Sequence, residues 1–238
     1  MKTPQFIRRA IGESAMLKLA EARAEYAYSK MKYQCDEGLI TIFEELLGDK
    51  RDGFYLDVGS NDGRTASNTW HLERSLNWRG ILVEPVLHLY FESRKLRQAN
   101  NVFVNAACVD PSFSDPCLKM IYAGLMTVSP DQSSFDASSH AAAGSQFISA
   151  HETTEIIYVP ALTLNEILES SAAPNEIDFM SIDVEGAEMP VLKGLNLDMW
   201  KPRVICIEST KGSNAHRHLE EYGYRLHAVV QQNLIFTK

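Results

Sequence analysis

The stretch Tyr55-Leu56-Asp57-Val58-Gly59-Ser60-Asn61-Asp62-Gly63, followed by Gly80-Ile81-Leu82-Val83-Glu84-Pro85, decides the fold. An apolar run of strand length, a glycine turn, a helical segment and a second apolar run ending in one carboxylate read as strand, turn, helix and strand. In a parallel sheet both strands end on the same edge, so the turn and Glu84 describe one pocket. Gly59 and Gly63 carry no Cβ, which lets the backbone bend sharply and bring a ligand near main-chain N–H groups at the start of the next helix. Glu84 is placed to accept two hydrogen bonds from ribose hydroxyls. The spacing departs from the dinucleotide fingerprint, because Asn61 stands where a middle glycine would admit a pyrophosphate. An adenosine ligand without phosphates fits better. S-adenosylmethionine is such a ligand, with Asp57 and the turn placed to receive its amino-acid tail.

Working outward, the strand and helix signals alternate. Strands are expected over Phe54–Val58, Ile81–Glu84 and Val102–Ala107, with helices over 64–77 and 87–98. A second block repeats the rhythm: strand Ile177–Asp183, helix 187–194, strand Val204–Glu208, helix 214–222. Such alternation implies a parallel sheet with right-handed crossovers. Tyr224–Val230 and Leu234–Thr237, parted by Gln231-Gln232-Asn233, read as an antiparallel hairpin on the sheet edge. Residues 5–48 read as helical, with Leu39, Ile42, Phe43, Leu46 and Leu47 at helical spacing and Gly48 as the stop. The expected organisation is an N-terminal helical extension over 1–52 and one α/β domain over 53–238. Small and polar residues dominate 123–153, flanked by the strand-like pieces Leu118–Tyr122 and Ile156–Val159. That segment reads as a lid or binding loop carried on a small ribbon.

The 238 residues, 45% of them hydrophobic, suffice for one domain with a sizeable core. A net charge of −8, spread along the chain, argues against a nucleic-acid backbone as partner. Cys35, Cys108, Cys117 and Cys206 form no CxxC pair, and Cys108 and Cys206 lie in apolar runs where a thiol acts as a small core hydrophobe. This reads as a reduced, cytoplasmic protein. No window reaches the roughly 18 apolar residues that a transmembrane helix needs, and Glu13 and Lys18 interrupt the N-terminal region, so no secretory signal is read there. An amphipathic N-terminal arm is also a means of pairing two copies, so a homodimer is one expected assembly.

The second informative stretch is Ser181-Ile182-Asp183-Val184-Glu185-Gly186-Ala187-Glu188, where the fourth strand of the sheet ends on the edge that carries Gly59 and Glu84. Asp183 should point into the mouth of the site, Glu185 lies in the turn and Glu188 in the first helical turn. Glu188 is explained by the helix N-terminus alone. That account covers neither Glu185 nor Glu208, which ends the next strand.

With these motifs in hand, the chain resembles the FkbM family of S-adenosylmethionine-dependent methyltransferases. The resemblance rests on DVGSNDG (57–63), VEP (83–85), VNAACVD (104–110), TLNEIL (163–168) and SIDVEGAE (181–188). It covers about 54–237 and leaves the N-terminal helices and the lid unmatched. It implies a class I methyltransferase fold, a Rossmann-like doubly wound sheet of seven strands closed by the C-terminal hairpin. It also implies O-methylation of a hydroxyl on a sugar, glycoconjugate or related secondary metabolite, so the partner is a small-molecule or glycan acceptor. Asp57, Gly59, Ser60, Asn61, Gly63, Glu84, Pro85, Ala106, Ala107 and Asp183 are the expected cofactor-binding residues.

Methyl transfer from a sulfonium is an in-line displacement, so catalysis is chiefly positioning plus a sink for the hydroxyl proton. Asp183, Glu185 and Glu208 are the candidates for that chemistry, either as oxygen ligands of Mg²⁺ or as a metal-free base with hydrogen-bond acceptors. His151, and beside it His140, are the histidine bases that a closing lid could deliver. Two other readings stay open: an NAD(P)-dependent oxidoreductase, which also uses an acidic second-strand end, and a non-catalytic nucleoside-binding module.

Overall fold

A computed structural model describes residues 33–148 and 153–238. The helices expected before residue 33 therefore lie outside the described residues. The first described helix, α1 (Glu37–Leu47), is capped by Asp36, whose Oδ1 accepts from the Gly38 N–H at 2.7 Å, and it stops at Gly48 with φ +57°. Leu39, Phe43 and Leu47 recur at one helical face and are buried against the sheet.

The strands are β1 (Phe54–Val58), β2 (Arg79–Val83), β3 (Val102–Val104), β4 (Ala107–Cys108), β5 (Cys117–Tyr122), β6 (Glu155–Leu162), β7 (Glu176–Ile182), β8 (Lys201–Glu208), β9 (Arg225–Val230) and β10 (Asn233–Thr237). The remaining helices are α2 (Trp70–Leu76), α3 (Leu87–Leu96), α4 (Ala137–Gly144), α5 (Leu164–Ser170), α6 (Glu188–Lys193) and α7 (Asn214–Glu221). Seven strands form one sheet in the order β3-β2-β1-β7-β8-β10-β9, parallel except for β10, which runs antiparallel to both neighbours. The chain winds outward from β1 to β3 and then restarts at β7 beside β1. The reversal between β1 and β7 leaves a crevice outside their carboxyl ends, at Gly59 and Asp183. This is the doubly wound sheet with a C-terminal hairpin expected above.

Period-two alternation assigns the two faces. Leu56, Val58, Met180, Ile182, Ile205 and Ile207 face a core completed by α5, α6 and α7, while Tyr55, Phe179, Val204, Cys206 and Ile235 face one completed by α1, Leu72 and Trp78. Cys108 and Cys206 are buried, and burial pushes the Cys108 thiol up to about 12, as suits a packing residue rather than a nucleophile. Among the described residues no helix is long and apolar enough to cross a membrane.

Two expectations need correction. The helix read over 64–77 begins only at Trp70, because side chains in the preceding segment compete for the backbone. Asp62 Oδ1 accepts from the N–H groups of Arg64 and Thr65, and Ser67 Oγ from those of Thr69 and Trp70, which fixes a series of turns instead. The strand read over Val102–Ala107 is two: β3 ends at Val104, and β4 joins β5 and β6 in a separate three-stranded sheet. The ribbon expected around the insertion is present, since β5 and β6 pair antiparallel from Cys117↔Pro160 to Tyr122↔Glu155.

Candidate active site

The crevice at the β1–β7 reversal opens into a cleft of about 1020 Å³ counted out to its open mouth. Nine of the ten residues expected to hold the cofactor line it: Asp57, Gly59, Ser60, Asn61, Glu84, Pro85, Ala106, Ala107 and Asp183. Gly63 does not. A Cβ there would fall 2.5 Å from Ser93 Oγ and 2.9 Å from Arg97 Cγ, so Gly63 lets the turn pack on α3 rather than letting a ligand approach. Gly59 is likewise a packing glycine: with φ +83°, its Cβ would lie 1.8 Å from the Asp183 carbonyl oxygen, so β1 and β7 can converge only without a side chain here.

The turn also spends its donors internally. The N–H groups of Gly59 and Ser60 bond Val83 O, that of Asn61 bonds Glu84 Oε2 at 2.8 Å, and that of Gly63 bonds Ser60 O. With Arg64 and Thr65 committed to Asp62, the turn offers no cradle of main-chain donors, contrary to the expectation from glycine content. A pyrophosphate would need such a cradle; a nucleoside with a carboxylic side chain as recognition element does not.

Glu84 is buried at the end of β2, its Oε1 accepting from Val86 N–H and its Oε2 from Asn61 N–H, both at 2.8 Å. Burial pushes its pKa up to about 7 against these two stabilising bonds. Each oxygen keeps a further lone pair for a ligand hydroxyl. Leu89, Leu118, Met120 and Leu125 supply apolar wall to the same cleft. An acidic acceptor together with an apolar wall suits a heterocycle joined to a polyol. Asp57 is buried to the same degree, with Thr69 Oγ1 donating to its Oδ2 at 2.5 Å.

At the mouth, one oxygen each from Asp183, Glu185 and Glu208 lies within 4.8 Å of the others. Asp183 is open to the cleft, yet protein surrounds it on most sides. Poor solvation followed by the Glu208 charge raises its pKa well above the ordinary carboxylate range. Glu185 is pushed up to about 8, first by burial and then by Glu208 and Glu188. Such a cluster holds shared protons or a cation at neutral pH. Glu188 stands apart: its Oε1 accepts from Gly186 N–H at 2.8 Å, which makes it a brace for the turn.

The insertion over 123–148 is not the irregular loop expected. Asp136 caps α4 by accepting from Ser139 N–H at 2.7 Å, and Ala137 and Ala141 pack on Ala123 and Val128. It docks directly onto the second motif. Ser134 N–H donates to Gly186 O at 2.9 Å, and a Cβ on Gly186, at φ +90°, would lie 2.4 Å from the Phe135 ring. His140 on α4 then meets Glu185, Nε2 to Oε2, at 2.7 Å. Poor solvation lowers the His140 pKa, with the Glu208 charge opposing. Of the two lid histidines, His140 is thus brought to the carboxylates, and His151 lies outside the described residues.

A buried polar network missed by sequence reading supports the cleft from behind. Arg97 donates to Glu73 Oε2 and Gly63 O, each at 2.8 Å, and to the Tyr55 hydroxyl at 2.7 Å, with both charged side chains fully buried. No periodicity marks Arg97, which falls at the end of a solvated helix pattern. Asn68, also unforeseen, lines the cleft and donates to Ser181 Oγ at 3.0 Å.

Comparison with known proteins follows this geometry. A family profile described as a methyltransferase FkbM domain matches residues 57–226. No curated protein sequence matches the chain. Among solved structures, a methyltransferase FkbM from Methylobacillus flagellatus KT is similar at 12% identity with a TM-score of 0.39, over 80% of this chain and 44% of that one. The chain therefore spans less than half the length of that relative.

Proposed function

The chain belongs to the FkbM methyltransferase family, and we propose that it moves the methyl group of S-adenosylmethionine to a hydroxyl of a sugar, glycoconjugate or related small molecule. The observation that carries this reading is the pairing of a nucleoside-shaped cleft, ended by Glu84, with a carboxylate cluster at its mouth. When bound, S-adenosylmethionine supplies an electrophilic methyl on sulfur. Glu84 would accept the ribose hydroxyls, Leu89 and Met120 would supply apolar wall for the base, and Asp183 and Glu185 of the same lining would meet the acceptor hydroxyl. The hydroxyl proton passes to a carboxylate oxygen of this cluster, and Glu185 is itself oriented by His140.

The three carboxylates also fit a hard divalent ion such as Mg²⁺, since each offers an oxygen ligand within 4.8 Å of the others. A cation on Asp183, Glu185 and Glu208 would supply Lewis acidity that makes the hydroxyl a better proton donor. The oxidoreductase alternative is disfavoured by the turn, whose Gly59, Ser60, Asn61 and Gly63 N–H groups are already committed within the protein and so form no main-chain cradle for a pyrophosphate.

Calorimetric titration with S-adenosylhomocysteine beside NAD⁺ tests the cofactor assignment without an acceptor. Binding of the former alone, weakened in Glu84→Ala, is the expected result; binding of NAD⁺ instead would overturn the reading. The same titration across pH carries a second expectation. Because Glu84 has its pKa raised to about 7 in the empty cleft and accepts both hydroxyls only when ionised, affinity is full above pH 7. Below it, affinity falls by about tenfold per unit as the carboxylate must first lose a proton. An affinity independent of pH between 5.5 and 8 would remove Glu84 from the ribose.

A further inference from the structure

Beyond the cofactor cleft lies a second one, lined by Phe135 and His140 from the insertion, by Glu185 and Glu208, and by polar side chains that include Thr210 and Gln232. Glu185 lines both clefts, Asp183 only the first and Glu208 only the second, so the carboxylate cluster is their shared wall. Two properties of the second cleft bear on what enters it. Phe135 is 42% exposed although its ring rests on Gly186 and its centroid lies 4.4 Å from that of the His140 ring, so an aromatic surface stands open beside hydroxyl and amide groups. An aromatic face carries negative charge density and takes up the polarised C–H groups of a saturated oxygenated ring. Further, among the described residues no lysine or arginine lines this cleft, while Glu185, Glu188 and Glu208 do. Lys211 is exposed outside the lining, and Arg217 is engaged by Gly212 O and Asn214 Oδ1.

We propose that Phe135 is a specificity-determining platform, on which the second cleft seats an uncharged polyhydroxylated ring with one hydroxyl turned to the carboxylate wall, and from which anionic rings are excluded. This rests on the methyltransferase reading above and adds the charge class and the seat of the acceptor. Exclusion follows from like charge: a ring carboxylate would lie against acidic side chains with no lysine or arginine among the described lining residues to offset it. Even a divalent ion on Asp183, Glu185 and Glu208 would leave that ionised trio formally negative.

The test uses protein loaded with S-adenosylhomocysteine and saturation-transfer NMR with methyl β-D-glucopyranoside and its carboxylate twin, methyl β-D-glucopyranosiduronate. The neutral glycoside should receive saturation at its ring C–H positions. It should bind about tenfold more tightly than the uronate, lose about tenfold in Phe135→Ala and keep its affinity in Phe135→Trp, with S-adenosylhomocysteine affinity unchanged in both variants. Equal or tighter binding of the uronate, an unaltered Phe135→Ala, or no saturation of either glycoside would each overturn the platform while leaving the methyltransferase reading in place. Failure of S-adenosylhomocysteine to bind, read separately by calorimetry, would overturn that reading and the platform together.

Discussion

Asp183→Asn is expected to abolish turnover, by roughly 10²- to 10⁴-fold, and at the same time to make the protein more stable. The two effects have one origin. Asp183 shares a poorly solvated mouth with Glu185 and Glu208, and that crowding is what the proposed chemistry uses to hold a proton or cation beside the acceptor. Asparagine keeps the shape and loses both the charge and the basic oxygen. The folded-state pKa of Asp183 is raised above its ordinary 3.8, and that of Glu185 from 4.5 to about 8. Groups raised in this way contribute stability that is complete below their unfolded values and is lost as pH rises through their folded values. Wild-type protein without cofactor should therefore lose melting temperature between about pH 5 and pH 8, and Asp183→Asn should flatten that slope and melt a few degrees higher at pH 8. S-adenosylhomocysteine affinity should stay within a few fold. Wild-type-like turnover in this variant, measured with any acceptor the enzyme accepts, would remove Asp183 from the chemistry. Unchanged melting would remove the charge crowding.

The sheet order is legible in the chain because its punctuation is local: an apolar run with a carboxylate at or near its end recurs at β1, β2 and β7, and a glycine at positive φ follows closely after β1 and β7. Those signals also place Glu84, Asp183 and Glu208 on one edge, which is why the carboxylate cluster could be assembled from spacing alone. What glycine content could not disclose is which neighbour a missing Cβ serves. Gly59 and Gly63 read as ligand-facing, yet each makes room for another part of the protein, at Asp183 and at Ser93 and Arg97. The helix expected over 64–77 starts only at Trp70 for a related reason: Asp62 and Ser67 capture backbone N–H groups, a competition that hydrophobic periodicity does not register. In the segment expected to be a loop, the Asp136 cap starts α4 instead. The meeting of His140 with Glu185, 45 positions away in the chain, depends on Gly186 accepting Phe135 and has no counterpart in sequence spacing.

Arg97→Met is expected to cost the fold more than any single change at the mouth of the site. Arg97 and Glu73 are both without solvent, and the guanidinium also holds Gly63 O, the Thr69 hydroxyl and the Tyr55 hydroxyl, while Glu73 accepts further from Asn101 and from Gln98 N–H. Removing the cation alone strands the Glu73 carboxylate in the interior, for which about 3–5 kcal/mol is typical. At this chain length that corresponds to a fall in melting temperature of roughly 10 °C. The loss should not stop at stability. Arg97 ties α3 to the 63–69 turns, and Thr65, Ala66, Ser67 and Asn68 of that segment line the cofactor cleft, so S-adenosylhomocysteine affinity should fall although Arg97 itself does not line the cleft. Pairing the change with Glu73→Met separates the two contributions, because the double variant leaves no unpaired charge. It should recover much of the stability while the cleft, still lacking its tie to Gly63 and Thr69, keeps the weakened affinity. If Arg97→Met instead melts within a degree or two of wild type, the ion pair is incidental to the fold. If the double variant regains full affinity, the 63–69 turns hold their place without the guanidinium, and the wall of the cofactor cleft is set by Asp62, Ser67 and the Gly63 contact with α3 alone.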